Sequence, residues 1–117
     1  MNKISGTIVN HNSTFEGEIE FDKKIKNIRN TSNVNNQNYI IPGFVDLHCH
    51  GGNGFDTMEG ANSIVNMSKY HLMHGTTSIL PTTWTNTFDH TFKALNDFNK
   101  IKEINLNILG VHLEGPF

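Results

Sequence analysis

The chain has 117 residues and a formal net charge of −2 at pH 7, with scattered basic side chains, a single cysteine and no apolar stretch near the roughly 20 residues that span a bilayer. This length is that of one ordinary domain, and 36% hydrophobic residues with ten glycines lie at the lower edge of globular composition, which excludes a large multidomain chain and a disordered one. We therefore expect a folded cytoplasmic protein with no nucleic-acid partner, no membrane partner and no internal disulfide.

The first forty residues alternate apolar and polar side chains in short runs. The runs at 3–9 and 17–21 have the period of two that is typical of half-buried strands, and turn-rich segments separate them. The polar stretch 30–38 is rich in asparagine, which favours turns, and it is expected to be a connector. The pattern predicts a small antiparallel β meander, and we assign residues 1–41 to a first domain.

The remaining residues, 42–117, alternate between short apolar strands and helices. Strands are predicted at 44–48, 77–80 and 106–113, and helices at 61–74 and from residue 87 onward. The second helix places four apolar side chains on one face: Phe88, Phe92, Leu95 and Phe98. The strand centres are about 31 to 33 residues apart, close to the roughly 31 residues per unit of a (β/α)8 barrel. An α/β fold is predicted, with the first three β/α units of a TIM-like barrel.

Such a barrel would be incomplete. Three parallel strands with two helices leave sheet faces and edges uncovered, whereas parallel sheets are normally buried. The chain stops at Phe117, just after the third predicted strand, where a barrel enzyme carries its active-site loops. We therefore expect the chain to be the N-terminal piece of a longer protein.

The end of the first barrel strand carries the densest group of candidate ligands. Asp46, His48 and His50 alternate along the strand and therefore share one face. Two imidazoles at this spacing can reach one metal ion, although a single such pair in a chain with seven histidines is a weak motif. Cys49 lies on the opposite face and is interpreted as a small buried apolar residue.

A second group follows at the end of the third predicted strand, where His112 and Glu114 share a face. A carboxylate directed into a barrel needs a cation or a metal, so Glu114 is a candidate third ligand, although glutamates at strand ends are often simply exposed. For His112, contact with substrate, donation to a metal ligand and a structural role all stay open.

Taken together, these segments resemble a known family. Residues 42–52 resemble the opening barrel strand of the amidohydrolase superfamily, and residues 74–77 with 80–82 look like its second unit. Residues 112–117 are similar to the signature of the N-acetylglucosamine-6-phosphate deacetylase family. The resemblance implies a TIM-like barrel with a small β-sandwich domain, to which residues 1–41 would contribute.

The resemblance also implies an activity and a site. The reaction is hydrolysis of N-acetylglucosamine 6-phosphate to glucosamine 6-phosphate and acetate, in amino-sugar catabolism and cell-wall recycling, by a homodimer that uses one or two divalent ions, zinc or iron. Glu114 matches the metal-binding glutamate, and His48 and His50 match a pair that some members use for a second metal. The other metal ligands, the phosphate-binding groups and the catalytic aspartate would lie beyond Phe117. This chain would then carry no catalytic acid or base and would be inactive alone.

Two other interpretations stay open. Another member of the superfamily could hydrolyse a cyclic amide, but the segment around Glu114 disfavours this, because the bridging ligand there is more commonly a lysine on a later strand. A non-catalytic metal-binding remnant, complete at Phe117, would have to unfold cooperatively by itself, whereas a truncated barrel would be molten or aggregated.

Overall fold

The computed structural model of the protein describes residues 1–32, 34, 38–101 and 107–115. The chain divides into two compact units, Met1–Pro42 and Gly43–Phe117. Leu106 of the third predicted strand, and Pro116 and Phe117 of the deacetylase-like segment, lie outside the described residues.

The N-terminal unit is a four-stranded sheet. Its strands are β1 (Asn2–Val9), β2 (Thr14–Phe21), β3 (Ile25–Asn30) and β4 (Tyr39–Ile40), in the order β3-β2-β1-β4. The predicted antiparallel meander is confirmed for β1 to β3, and β4 adds a parallel pairing with β1 that the sequence pattern did not predict.

Alternation gives the two faces of this sheet different chemistry. Ile8 and Ile19 are buried on one face. On the other face, the Arg29 guanidinium lowers the pKa of Glu18, and the Lys3 ammonium lowers the pKa of Glu20, which it contacts at 2.7 Å. Ion pairs this exposed contribute little to the free energy of unfolding.

The C-terminal unit has the predicted strand and helix order. It contains β5 (Phe44–Cys49), β6 (Gly51–Gly52), β7 (Phe55–Asp56), a 3-10 turn (Thr57–Glu59), α1 (Ala61–Met73), β8 (Thr76–Pro81) and α2 (Phe88–Phe98). β5 pairs in parallel with β8, and the described end of the chain lies along β8 through parallel bridges from Ile79 to Ile108 and from Thr82 to His112. The structure is thus mixed α/β.

The third predicted strand differs from the expectation of a continuous strand at 106–113. In the described range 107–115 it makes two isolated bridges only. Gly110, with φ +155°, lies between the two bridging positions. The segment still follows β8 in parallel, so its end lies at the same edge of the sheet as the end of β5, with β8 between them.

The core of the C-terminal unit lies between α1 and the strands. Cys49, Met67 and Ile79 form a buried cluster, with Phe55 and Ile108 packed against it. The alternation predicted for β5 thus holds at Cys49, which faces α1. Val45 and Leu47, which were predicted to share that face, are 59% and 58% exposed, and the register of β5 on β8 shifts between Asp46 and Cys49.

The packing face of α2 is not the phenylalanine face. The helix begins after Thr87, as predicted, but its buried side chains are Thr91, Ala94 and Asp97, and Phe88 and Phe92 are exposed. Small side chains let α2 approach the 3-10 turn and α1, whereas bulky rings would hold it away. Neither helix in the described part of the chain has the length and apolar character needed to cross a membrane.

Asp97 connects two lysines at the end of α2. Its two oxygens accept from the Lys93 ammonium at 2.8 Å and the Lys100 ammonium at 2.6 Å. These hydrogen bonds, that of Lys100 above all, lower the pKa of the Asp97 carboxyl group.

This ion pair network predicts a pH-dependent stability. Because the folded-state pKa of Asp97 lies below the unfolded value of about 3.9, its stabilising effect is present above about pH 5 and is lost as the pH falls through the folded-state pKa. We expect Asp97→Asn to lower the thermal unfolding midpoint at pH 7, and the difference from wild type to shrink towards pH 3. Asp89→Asn removes the same charge from an exposed position of α2 and is the control. An Asp97→Asn effect that stays constant between pH 3 and pH 7, followed by circular dichroism, would contradict this assignment.

Candidate metal centre

The three predicted metal ligands lie together at the carboxyl end of the parallel strands. His48 lies near the end of β5, His50 follows directly after it, and Glu114 follows the His112 bridge on the far side of β8. The Nε2 atoms of His48 and His50 lie 2.8 Å and 3.2 Å from Oε2 of Glu114, and 3.1 Å from each other. Residues 66 positions apart in the chain therefore converge on one point.

This donor set fits a divalent ion. Imidazole nitrogen and carboxylate oxygen are ligands that zinc and iron both accept. Bonds of about 2.1 Å to one ion place neighbouring donor atoms roughly 3.0 to 3.4 Å apart, close to the three distances found here. The three side chains are half-buried to exposed, so an ion and a small molecule can reach them.

The hydrogen bonds around His50 support the same assignment. Its Nδ1 lies 3.2 Å from the carbonyl oxygen of Thr82, and because a carbonyl can only accept, the proton is on Nδ1. In the neutral ring, the Nε2 lone pair then faces the Glu114 carboxylate. A lone pair and a negatively charged oxygen at 3.2 Å repel each other unless a proton or a metal ion lies between them, and a divalent ion relieves this repulsion at both histidines together.

His48 is held less firmly. Its backbone N–H donates to the Asp46 carboxylate at 3.0 Å, and its ring meets the ring of His112 edge to face, with centroids 4.7 Å apart. The His48 side chain is 52% exposed. His112 lies between His48 and the Thr82 hydroxyl, 3.4 Å from its Nδ1, so it borders the cluster without joining it.

Comparison with known proteins identifies the family. No protein-family model matches the chain. Over 85 residues it is 39% identical to the N-acetylglucosamine-6-phosphate deacetylase of Bacillus subtilis (strain 168). The matched region covers 67% of this chain and 22% of that relative. The crystal structure of the N-acetylglucosamine-6-phosphate deacetylase of Thermotoga maritima superposes with a TM-score of 0.85 at 28% identity, covering 99% of this chain and 32% of that one. The chain belongs to the N-acetylglucosamine-6-phosphate deacetylase family.

Two further comparisons concern the extent of the match to the deacetylase family and its fold. The chain spans about a fifth of the length of the curated relatives it matches. A variant of the Mycobacterium smegmatis deacetylase, solved in complex with N-acetyl-D-glucosamine-6-phosphate, shares the fold with a TM-score of 0.78 at 20% identity, over 97% of this chain and 32% of that one.

Sequence analysis missed most of the side chains that hold the cluster in this deacetylase-family chain. Thr82, buried, accepts from the Cys49 N–H at 2.9 Å and so ties the end of β5 to the end of β8. The Glu114 backbone N–H donates to the Thr83 hydroxyl at 3.3 Å, and the Thr85 hydroxyl donates to the Glu114 carbonyl at 3.2 Å. The run of threonines after β8 was the signal in the sequence for these contacts. It does not indicate which residues, about 30 positions away, the threonines bind.

Cys49 and His71 form a second contact, behind the cluster. The Cys49 thiol lies 3.3 Å from Nε2 of His71, which also lies 3.1 Å from the Gly51 carbonyl. Burial raises the pKa of the Cys49 thiol, and the Asp46 charge adds to this, so the thiol stays protonated.

A β-carbon at Gly51 would lie 2.2 Å from the Phe55 carbonyl oxygen, so only glycine permits the turn after His50.

Proposed function

We propose that this chain is the N-terminal part of a metal-dependent N-acetylglucosamine-6-phosphate deacetylase. Residues 1–41 would form part of a small β-sandwich domain, and residues 42–117 the first three units of a TIM-like barrel. The observation that carries the proposal is the convergence of His48, His50 and Glu114 at the carboxyl ends of parallel strands, where barrel enzymes carry their sites. The exposed Val45 and Leu47 of β5 support further chain packing against this unit.

In this proposal His48, His50 and Glu114 are metal ligands. These three side chains would hold a zinc or iron ion, which would supply Lewis-acid chemistry for activating water and polarising the acetyl carbonyl. The Thr82 carbonyl holds the proton on Nδ1 of His50 and so leaves Nε2 free to bind. Thr83 and Thr85 fix the backbone of Glu114 on both sides, which sets where its carboxylate points.

The remaining chemistry needs groups that we place elsewhere. The leaving amine of the sugar must gain a proton, and we assign this step to a carboxylic acid beyond Phe117. The substrate is the amino-sugar phosphate named for the Mycobacterium smegmatis complex, and the phosphate-binding groups also lie beyond Phe117. The complete protein is proposed to act in the cytoplasm as a homodimer, in amino-sugar catabolism.

Acetate release tests this proposal. We expect the reading frame to continue past Phe117 and the complete protein to release acetate from N-acetylglucosamine 6-phosphate, whereas the 117-residue chain alone releases none, because its ligand set is incomplete and it lacks a general acid. A coupled acetate assay on both proteins measures this. Acetate release by the short chain would contradict its predicted inactivity. A stop codon after Phe117, together with cooperative unfolding of the short chain, would favour the non-catalytic metal-binding remnant.

A further inference from the structure

Trp84 lies directly on one of the proposed metal ligands. Its indole stacks on the His50 imidazole, with ring centroids 3.7 Å apart and planes inclined by 13°. The Trp84 residue is 48% exposed, so it contributes little to the core. Trp84 is not part of the buried cluster of this unit, and its ring stacks on a proposed ligand instead.

The indole is also held at its edge. Its Nε1–H donates to Oδ2 of Asp56 at 2.8 Å. The other oxygen of Asp56 accepts from the Met58 N–H at 2.7 Å, at the start of the 3-10 turn, and the Asp56 N–H donates to the Ser63 hydroxyl at 2.9 Å on α1. Trp84 is therefore anchored to the elements that lead into α1.

These contacts restrain His50 in two directions. The indole covers one face of the imidazole, and the Thr82 carbonyl binds its Nδ1–H at the edge. With ring plane and rotation both fixed, Nε2 points at the Glu114 carboxylate. His48 has an exposed side chain and only edge contacts with other rings, so the two imidazoles are held unequally.

We propose that Trp84 and Asp56 are positioning residues that hold His50 in its metal-binding orientation before the ion arrives. This inference rests on the proposed function, because it takes His50 to be a metal ligand. A ligand that is already oriented loses less rotational freedom on binding, and partners that orient a ligand typically change metal affinity by about 10- to 100-fold. Trp84 restrains the plane of the His50 ring and Thr82 still holds its Nδ1, so we expect an effect near the lower end of this range.

Zinc affinity of three variants of the complete protein, measured by equilibrium dialysis, tests the inference. Trp84→Leu removes both the stacking and the hydrogen bond, and we expect about tenfold weaker zinc binding. Trp84→Phe keeps an aromatic face over His50 and should restore most of the affinity. Asp56→Asn keeps an oxygen for the Met58 N–H but turns an N–H towards the indole N–H, so it should weaken zinc binding about threefold.

Two additional readouts separate positioning from a loss of folding. The visible absorption of the cobalt(II)-substituted protein reports ligand geometry, and we expect it to shift in Trp84→Leu and return in Trp84→Phe. Thermal unfolding of the metal-free variants checks folding, and Trp84→Phe, which loses the same hydrogen bond to Asp56, is the matched reference for Trp84→Leu. The inference would be overturned if Trp84→Leu kept the wild-type zinc affinity and cobalt spectrum while His50→Ala weakened zinc binding. That result would still support the proposed metal site. Unchanged zinc binding in His50→Ala itself would overturn the assignment of His50 as a ligand, and the inference with it.

Discussion

Replacing Glu114 by glutamine is expected to lower the zinc affinity of the complete protein by about a hundredfold or more. The Glu114 carboxylate contacts both imidazoles, at 2.8 Å and 3.2 Å, and supplies the only negative charge among the three donors. A neutral amide of the same shape leaves an ion without charge compensation. The loss should therefore exceed the 10- to 100-fold that removal of an outer partner causes.

The fold should tolerate this change, since the contacts of Glu114 to Thr83 and Thr85 use its backbone. Bound zinc after dialysis, measured by atomic emission, gives the result, and thermal unfolding of the metal-free protein checks folding. Glu16→Gln, which removes the same charge from an exposed position of β2, should bind zinc like wild type. His48→Ala should also lose metal. Unchanged metal content in both Glu114→Gln and His48→Ala would remove the proposed ligands.

Replacing Met67 by alanine is expected to lower the free energy of unfolding by about 3 kcal/mol, within the range for large-to-small changes at fully buried sites. Met67 is 0% exposed and packs with Cys49 and Ile79, and its sulfur accepts from the Thr57 hydroxyl at 3.6 Å. Its loss leaves a cavity directly behind β5. The strand that carries both histidines would then lose its support from α1.

Met73→Ala is the matched control, because Met73 lies on the same helix and is 76% exposed. We expect it to change the free energy of unfolding by no more than about 0.5 kcal/mol. Urea denaturation of both variants of the complete protein measures the difference. Equal destabilisation by the two substitutions would mean that the face of α1 described here is not the buried one.

Local geometry made much of the C-terminal unit predictable. The helical spacing of apolar residues and Gly75 placed α1 within one residue of its observed end. Alternation along β5 correctly separated His48 from Cys49, because successive side chains of a strand point to opposite faces. Parallel strands end at a common edge, and this brought Glu114 to the two histidines.

Features that depend on distant partners were not predictable in this way. In α2, Thr91 and Ala94 are buried in place of Phe88 and Phe92 because the helix lies close to α1. The spacing of apolar residues along the sequence does not indicate how close two helices lie. The stacking of Trp84 on His50 joins two strand ends 34 positions apart along the chain. The pairing of the two-residue β4 with β1 is too short to leave a period in the sequence.

The opposite orientation of Cys49 also has a consequence for metal selectivity. The thiol lies one residue from each imidazole, yet β5 turns it towards α1, where it is 7% exposed. Thiophilic ions such as copper(I) and cadmium therefore find only nitrogen and oxygen donors in the described cluster. The pleat of a single strand in this way keeps the one cysteine of the chain out of the proposed metal site.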